Sequence, residues 1–279
     1  MQKGKFAVTE AWGTHSIEFN EDTVIKRFRS RQRDEPQREW GALQLLHEYA
    51  PGLAPVPLRE QLAGDPPLIV MSRVPGTPLR GQELTRQKLS ALAESLETLH
   101  NAAPTDRIWE LPPCTWYPPV VDGKARAWSA TASDLGTDPL VAQAFEVGEA
   151  WLARTSQVFT LPTGIRPVFG LSDGNLANYI WDGTRVRCVD FEISGRSDRA
   201  FELAEIVEHI SMWAEAAADT SFFLTQFDLT EKEAERLQTF RILFAYIWLL
   251  MLLPGRPGAH RNPPGTLSRQ ARHFLELVG

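Results

Sequence analysis

Cysteine is scarce in this sequence of 279 residues, which contains only Cys114 and Cys188. No Cys-x-x-Cys pair occurs and the six histidines are scattered, so the sequence predicts no structural zinc site. Cys188 lies in an apolar run and is expected to be a buried free thiol. This cysteine usage is typical of a protein from a reducing compartment.

Long apolar runs are also absent. The longest, residues 242–253, has 12 residues, which is too short to cross a bilayer and predicts a buried helix. Residues 1–5 are followed by Glu10, a pattern without the apolar core of a signal peptide. We therefore expect a cytoplasmic protein that does not act at a membrane.

An excess of positive charge is missing as well, since the net charge is −6 and the isoelectric point is about 5.6. Proteins that bind nucleic acids usually carry a basic patch or a high isoelectric point, so no nucleic-acid partner is expected. The hydrophobic content of 43% and the charged content of 23% are those of an ordinary globular protein. Mild acidity suits a cationic small molecule, although it is equally common among cytosolic proteins.

The first 75 residues are dominated by strand patterns. An Asn-Glu-Asp turn separates two of these strands, and Pro36 and Pro51-Gly52 bound a helix whose apolar spacing includes Ala42, Leu43 and Leu46. The predicted strands are residues 6–9, 15–19, 23–28 and 68–72.

The rest of the chain changes character and is mainly helical. Helices are predicted over residues 84–101 and 139–156 and over most of 201–279, with a break at 254–264. Residues 104–139, rich in proline and tryptophan, are predicted to be irregular, and a strand–loop–hairpin unit is predicted over 167–193. We expect an α+β fold with a small β-rich N-lobe (residues 1–75) and a larger, mainly helical C-lobe (residues 76–279).

The hairpin brings two oxygen-bearing side chains to its open end. Its strands, residues 179–181 and 186–189, flank the turn dipeptide Asp182-Gly183. Asn178 and Asp190 are nearly equidistant from that turn, so their Cα atoms are expected about 4.5–5.5 Å apart. A pair of oxygen ligands suits Mg²⁺, which takes few protein oxygens and completes its shell with phosphate and water.

Asp173 precedes Asn178 by five residues, in a loop that contains Gly174. A carboxylate there could orient an attacking hydroxyl and accept its proton. The alternative is that Asp173, Asn178 and Asp182 are ordinary loop and turn formers, which is the usual role of each residue type. Their combined spacing around one hairpin makes that alternative less favourable.

Lys26 shares its strand face with Val24 and Phe28 and would need a partner if that face is buried. Phosphate oxygens or a carboxylate would serve, whereas a solvated edge-strand lysine is the alternative. Glu39 lies on or beside the packed stripe of the following helix and could pair with Lys26. It could equally be a first-turn acid that the helix dipole favours.

The apolar strand at residues 68–72 runs into Arg73-Val74-Pro75-Gly76. Backbone groups of Met71, Ser72 and Val74 could bind a flat heterocycle at this connection. A buried strand that simply ends in a turn explains the same residues.

Three segments together carry a resemblance to a known family. Leu171-Ser172-Asp173 followed by Asn178 matches a loop that reads His-Gly-Asp-x-x-x-x-Asn, with Leu-Ser in place of His-Gly. Val189-Asp190-Phe191-Glu192 matches the hairpin's closing motif, and residues 195–204 match a Gly-x-x-Asp-x-x-x-Asp-Leu-Ala segment in which Glu202 replaces the second Asp. The chain thus resembles the aminoglycoside phosphotransferase (phosphotransferase enzyme) family of the protein-kinase-like superfamily.

The resemblance implies a two-lobed kinase fold and transfer of the γ-phosphoryl group of ATP, or GTP, to a hydroxyl of a small-molecule acceptor. Asp173 would be the catalytic base, and Asn178 and Asp190 would bind Mg²⁺. Lys26, braced by Glu39, would hold the nucleotide phosphates. Met71, Ser72 and Val74 would form the hinge that binds the base. The protein would be a monomer or a homodimer.

Other functions stay open at this point. A nucleotide-binding pseudokinase or regulatory module is compatible with Leu171-Ser172 and with a phosphate loop that offers only Gly13. A protein kinase is disfavoured because no Ala-Pro-Glu signature and no long activation segment follow Asp190. Acids of the helical part could bind a cationic acceptor, or could simply be solvated; they are Glu205, Glu208, Glu215 and Asp219. Aromatic residues could stack on an acceptor, or could fill space between the lobes; they are Trp109, Trp116, Tyr117 and Trp128.

Overall fold

The computed structural model describes residues 15–29, 34–155, 165–256 and 258–279. The strand predicted at residues 6–9 and the loop around Gly13 lie outside these residues. The chain divides into two compact units. The first comprises Met1–Thr115, Pro167–Ser172 and Leu176–Ser197, and the second comprises Trp116–Arg166, Asp173–Asn175 and Asp198–Gly279. The lobe boundary after residue 75 stays a prediction.

The first unit is built on an antiparallel sheet of four strands in the order β1-β2-β4-β3. Three of the strands confirm the sequence prediction, whereas β3 was not predicted because four of its five residues are exposed and show no apolar alternation. The strands are β1 (Ser16–Phe19), β2 (Thr23–Arg27), β3 (Pro57–Gln61) and β4 (Leu68–Ser72).

Helix α1 (Glu35–Tyr49) lies where the apolar spacing predicted a helix and packs against this sheet, with Pro36 in its first turn, where a missing N–H is harmless. Its buried stripe includes Glu39, Ala42, Leu43 and Leu46. An acid in this stripe is unusual, since glutamate is rarely buried without a partner.

The remainder of the first unit surrounds the hairpin. Strands β7 (Tyr179–Trp181) and β8 (Val186–Cys188) pair antiparallel as predicted, and β5 (Thr77–Pro78) joins them on the β7 side. Strand β6 (Val168–Gly170) pairs with β9 (Gly195–Ser197). Helices α2 (Arg86–His100) and α3 (Thr105–Glu110) belong to the same unit.

The second unit is helical, and its long, largely buried helix α8 confirms the predicted buried helix. A capping box of Thr230 and Glu233 fixes the start of α8. The helices are α4 (Pro118–Ala130), α5 (Pro139–Arg154), α6 (Arg199–Glu208), α7 (Thr220–Leu224), α8 (Glu231–Leu252) and α9 (Thr266–Val278).

Two contacts fix neighbouring helices of this unit to α8. Asp198 caps α6 by accepting the Ala200 N–H at 2.9 Å, and it also accepts a hydrogen bond from Arg236 Nε of α8 at 2.9 Å. Gly148 of α5 lies against the ring of Tyr246 so closely that a Cβ atom there would be 2.0 Å from a ring carbon. A buried carboxylate and a missing side chain therefore determine how α6 and α5 meet α8.

The prediction that residues 104–139 are irregular was wrong, because this stretch contains α3 and α4. Proline was taken as a sign of irregular structure, yet Pro118 and Pro119 occupy the first turn of α4. Proline is well tolerated there because its fixed φ suits a helix start and its missing N–H has no partner in any case.

The predicted α+β class is confirmed, since a small antiparallel sheet precedes a mostly helical remainder. Among the described residues, we find no helix that combines the length and the apolar character required to cross a membrane.

Candidate active site

Lys26 lies at the centre of a cluster of carboxylates in the first unit. Its Nζ atom is 3.0 Å from Glu39 Oε2, 2.5 Å from Asp190 Oδ1 and 2.7 Å from Glu192 Oε2. The side chains of Lys26 and Glu39 are 5% and 1% exposed, whereas that of Asp190 is 40% exposed. The structure thus brings together three residues that the sequence singled out, and it adds Glu192.

The local structure explains why these side chains converge. Lys26 lies on β2, an inner strand that pairs with both β1 and β4, so the alternative of an edge-strand lysine is wrong. Asp190 follows β8 with φ at 69°, a left-handed conformation that Asp tolerates better than most residues. Its successor Phe191 is fully buried and stacks against Phe169. Asp190 and Glu192 therefore flank a buried anchor.

The carboxylates keep Lys26 charged. Burial alone would lower the pKa of Lys26, but the charges of Asp190, Glu39 and Glu192 outweigh burial and hold this pKa well above its ordinary value. Lys26 is therefore a cation at neutral pH.

The single positive charge of Lys26 cannot neutralise three carboxylates, and Glu39, the most buried of them, has a raised pKa. Burial raises the pKa of Glu39 to about 7, against the opposing charge of Lys26. For Glu192, burial also acts upward, but the hydrogen bond with His15 and the charge of Lys26 outweigh it and lower the pKa to about 2. Glu192 is accordingly the firmer anion of the two glutamates.

Sequence reasoning missed the roles of Glu192 and His15. In the sequence, Glu192 closes the hairpin motif and His15 begins a predicted strand, and neither position alone indicates a contact between them. His15 Nε2 is 2.7 Å from Glu192 Oε2, and both side chains are largely buried. The available signal was an acid at the motif's last position, next to Asp190 in space as well as in sequence.

Asn178 lies at the open end of the hairpin but one residue out of the predicted register. Tyr179 pairs with Cys188, so Asn178 faces Val189 and accepts its N–H at 2.9 Å. The predicted pairing with Asp190 was wrong by one position, because the turn closes between Asp182 and Arg185 and sets the register of the whole hairpin. The Asn178 side chain is buried, and its Nδ2 has no hydrogen-bond partner among the described residues.

Asp173 belongs to the second unit, where its loop rests on α6. Asp173 Oδ1 accepts the Asn175 N–H at 3.0 Å. Gly174 donates its N–H to the Glu205 carboxylate, and a Cβ atom on Gly174 would be 2.7 Å from the Glu205 carbonyl oxygen. Burial, followed by the charge of Asp173, raises the pKa of Glu205 well above its ordinary value. The Asp173 loop therefore packs closely on the backbone of α6, and position 174 has no room for a side chain.

Ser172, the residue before Asp173, replaces the glycine of the family pattern. Ser172 is buried and has φ at 60°, a conformation that glycine adopts without strain. The backbone at this position thus has a conformation that suits the glycine of the pattern, although the residue in this chain is a serine.

The predicted hinge residues continue β4. Met71 is buried, and the Ser72 N–H donates to the Val56 carbonyl at 2.9 Å. The Ser72 hydroxyl accepts the Val56 N–H at 2.8 Å. The Ser72 N–H is thus already engaged within the sheet, and a role of Met71, Ser72 and Val74 in binding a nucleotide base stays a prediction.

The chain is similar to proteins of known family and known structure. A sequence model of the phosphotransferase enzyme family matches residues 10–237, well over half of the chain. The chain belongs to the phosphotransferase enzyme family. A search of curated proteins finds no significant match.

Solved structures share the fold of this family member. A choline/ethanolamine kinase family protein from Mesorhizobium loti matches with a TM-score of 0.66 and 15% identity, covering 95% of this chain and 85% of that chain. Spectinomycin phosphotransferase, APH(9)-Ia, solved with ADP and spectinomycin, matches with 0.58 and 14%, covering 94% and 84%. The GDP complex of aminoglycoside 2'-phosphotransferase-IIIa matches with 0.63 and 14%, covering 98% and 93%.

The acids considered for acceptor binding have different surroundings in this phosphotransferase-family chain. Glu208 is fully buried and pairs with Arg241 Nε at 2.7 Å and His273 Nε2 at 2.5 Å, so the interpretation of a solvated face is wrong for it. Asp219 caps α7 by accepting the Phe222 N–H at 2.9 Å. Both are explained by structure alone.

Two of the tryptophan rings, those of Trp116 and Trp128, make cation–π contacts with Lys124. Lys124 Nζ of α4 lies 4.8 Å from the Trp116 ring centroid and 5.4 Å from that of Trp128. These rings are therefore engaged by a lysine of the same unit.

A cavity of about 370 Å³ lies elsewhere in the first unit. Its described lining comes from α1 and from Leu111, Pro112, Phe169 and Ser194, and it does not include the Lys26 cluster. Arg38 of α1 donates to the carbonyl oxygens of Pro113 and Ser194 at its edge. This cavity and the charged cluster are thus separate features.

Proposed function

We propose that this protein transfers the γ-phosphoryl group of ATP or GTP to a hydroxyl of a small molecule. Membership of the phosphotransferase enzyme family supports the reaction class. The observation that carries the proposal is the buried Lys26 ammonium, which Glu39 and Asp190 contact from two different elements. A fixed cation beside a partly exposed carboxylate is the arrangement that nucleotide phosphates and their metal require.

The donor set fits a hard cation. Carboxylate oxygens of Glu39, Asp190 and Glu192 lie within 4.8 Å of one another, and Asp190 is the most exposed of the three. Asp190 and the Asn178 amide oxygen would hold Mg²⁺, since oxygen atoms are its preferred ligands. When bound, the ion would neutralise charge on the phosphates.

The chain's own residues would supply positioning. Lys26 would contact the non-transferred phosphates, and Glu39 would keep its ammonium in place. Asp173 would orient the acceptor hydroxyl and take its proton as the new O–P bond forms. Little covalent chemistry is left to the protein, because phosphoryl transfer depends mainly on alignment and charge neutralisation.

The nucleotide is supported by what the structural neighbours bind. The spectinomycin phosphotransferase was solved with ADP and the aminoglycoside 2'-phosphotransferase with GDP. We therefore propose a purine nucleoside triphosphate and leave ATP and GTP as the two arms of the test. The acceptor is proposed only as a small molecule with a hydroxyl group. The cytoplasmic location and the monomer or homodimer state remain predictions.

The first experiment is thermal unfolding of wild type and Asp190→Ala with Mg²⁺–ATP or Mg²⁺–GTP. Wild type is expected to gain about 5 °C at a nucleotide concentration near 100 times Kd, and EDTA should remove the gain. Asp190→Ala should show no metal-dependent gain. The control, Asp106→Ala, changes an exposed aspartate at the start of α3 and should keep the wild-type response.

A regulatory module that binds nucleotide without turnover is the second candidate. Ser172 in a left-handed conformation, beside Asp173, is the observation that favours it. A nucleotide-dependent gain in stability without phosphoryl transfer to any acceptor alcohol, and without nucleotide hydrolysis, would support this candidate. No gain with either nucleotide would contradict both.

A further inference from the structure

Three carboxylates surround the Lys26 ammonium. An ammonium offers three N–H donors, and Glu39, Asp190 and Glu192 lie at 3.0, 2.5 and 2.7 Å from it. A nucleotide phosphate must therefore compete with these carboxylates for Lys26, and it would bind more readily once one of them turns away.

The three carboxylates differ in how firmly they are held. Glu39 is 1% exposed on α1, and Glu192, at 16%, has a second partner in His15. Asp190 is 40% exposed and is also the side chain that we propose as a metal ligand. Asp190 is accordingly the one free to turn away, and Glu39 and Glu192 are the two that stay.

A hydrogen bond and ring packing fix the orientation of the His15 imidazole. Its Nδ1 accepts the Arg29 backbone N–H at 3.3 Å, so the ring proton belongs on Nε2. Nε2 is 2.7 Å from Glu192 Oε2 and 3.7 Å from Glu35 Oε2. The ring is 4% exposed and packs against Phe28 with centroids 4.7 Å apart. The Nε2 atom of a buried ring thus lies beside the Glu192 carboxylate, and the packing on Phe28 and the Arg29 N–H fix the position of that ring.

We infer that His15 and Glu192 form a positioning pair that keeps the Lys26 ammonium aimed when Asp190 turns to the metal. Lys26 would then be braced by two carboxylates, one from α1 and one from the segment after β8. His15 acts through Glu192 and contacts no substrate. The consequence for binding rests on the proposed function, but the pair itself exists without nucleotide.

The test compares His15→Phe, His15→Gln and Glu192→Gln with wild type in two measurements. The first is the Kd of Mg²⁺–ATP and Mg²⁺–GTP by calorimetry. His15→Phe keeps the packing on Phe28 but has no donor, and Glu192→Gln removes the charge, so both should weaken binding about tenfold or more. His15→Gln retains an N–H donor and should stay within about threefold of wild type.

The double variant His15→Phe/Glu192→Gln should bind no more weakly than Glu192→Gln alone, because the two residues act in series. Glu18→Gln is the matched control, since it removes an exposed acid that lies 3.6 Å from Arg27. Additive losses in the double variant, or a His15→Phe variant that binds like wild type, would overturn the pair.

The second measurement needs no nucleotide. Lys26 is labelled with trace acetic anhydride and its rate is read by mass spectrometry against the exposed Lys232 in the same molecule. Lys26 should become more reactive in His15→Phe and Glu192→Gln and stay protected in His15→Gln. Unchanged reactivity in His15→Phe would overturn the inference. Changed reactivity in a protein that binds neither nucleotide would instead leave the pair standing and reject the proposed function.

Discussion

At the scale of single residues, Asp173 is the side chain on which turnover should depend most steeply. Asp173→Asn should lower kcat by about 10²–10⁴-fold, because it removes the proton acceptor while keeping the side chain's size. The Kd for nucleotide should change little. Steady-state assays with an acceptor alcohol, or with water as acceptor, give kcat, and calorimetry gives the Kd for nucleotide.

The control for Asp173 is Asp228→Asn, an exposed aspartate of the same unit. It should retain wild-type turnover. An Asp173→Asn enzyme within about tenfold of wild type would be incompatible with general-base catalysis by this residue.

Cys188 gives a prediction of pH dependence. Burial raises the pKa of its thiol to about 12 from an ordinary value of 9.0. A folded-state pKa above the unfolded value means that stability is complete below pH 9 and falls as the pH rises toward 12. Between pH 8 and pH 10 we expect the free energy of unfolding to fall by about 1 kcal/mol from this thiol.

Urea denaturation at pH 8, 9 and 10 tests this dependence on Cys188. Cys188→Ala should be less stable throughout because of the space it leaves, but its stability should fall less with pH. In native protein at pH 8 the thiol should resist alkylation, since it is fully buried. Parallel pH curves for the two proteins would contradict the assignment.

Sequence patterns reached some members of the charged cluster and not others for a physical reason. The contact of Lys26 with Glu39 followed from the strand and helix periods, which place each residue on a buried face. The contacts of Glu192 depend on the left-handed turn at Asp190 and on a histidine 177 positions earlier in the chain. No local period encodes such a contact.

At the scale of helices and strands, two glycines in one unit should respond oppositely to the same substitution. In Gly148→Ala, the new Cβ would approach the Tyr246 ring to 2.0 Å, so helices α5 and α8 must separate or the ring must move. Overpacking should outweigh the gain in helix propensity and lower the free energy of unfolding by about 1–3 kcal/mol.

Gly123→Ala in α4 is the matched control, because nothing lies within 4 Å of the new Cβ. It should stabilise the protein by up to about 1 kcal/mol through helix propensity alone. Chemical denaturation measures the free energy of unfolding of both variants. A Gly148→Ala variant more stable than wild type would show that the α5–α8 contact accommodates the new Cβ at little cost.

Helices and strands were predicted correctly where apolar residues recur with a strong period. Predictions that used composition instead of a period failed. Helix α8 and strand β4 have continuous apolar patterns, and both lie where the sequence placed them. Helix α4 was missed because Pro118 was taken as a sign of irregular structure, and β3 because its side chains are mostly exposed. Position within a helix, rather than residue type, decides what proline does.

At the scale of the whole molecule, charge predicts behaviour toward polyanions. With 35 acidic and 29 Lys and Arg residues, the protein should pass through a heparin column at about 0.1 M salt and bind an anion exchanger. A basic DNA-binding protein on the same heparin column is the control. Retention that weakens with salt would reveal a basic patch and would reopen the question of a nucleic-acid partner.

The architecture was predictable from a few ordered segments even though the neighbours share only 14–15% of their residues with this chain. The loop around Asp173, the hairpin and the segment after it occur in the family's order, and that order implies a fold. The acceptor was not predictable, because the acids and aromatic rings considered for it include several with structural partners, such as Glu208 and Trp116.

The carboxylate of Asp198 has a consequence for how the helical unit opens. It holds the first turn of α6 and a buried arginine of α8 at once, so neither helix can fray at that point without stripping the other of a partner. Amide protons in these two stretches should consequently exchange with solvent as one cooperative group, although about thirty-eight residues separate them in sequence. A single side chain thereby sets the size of the smallest piece of this unit that can unfold.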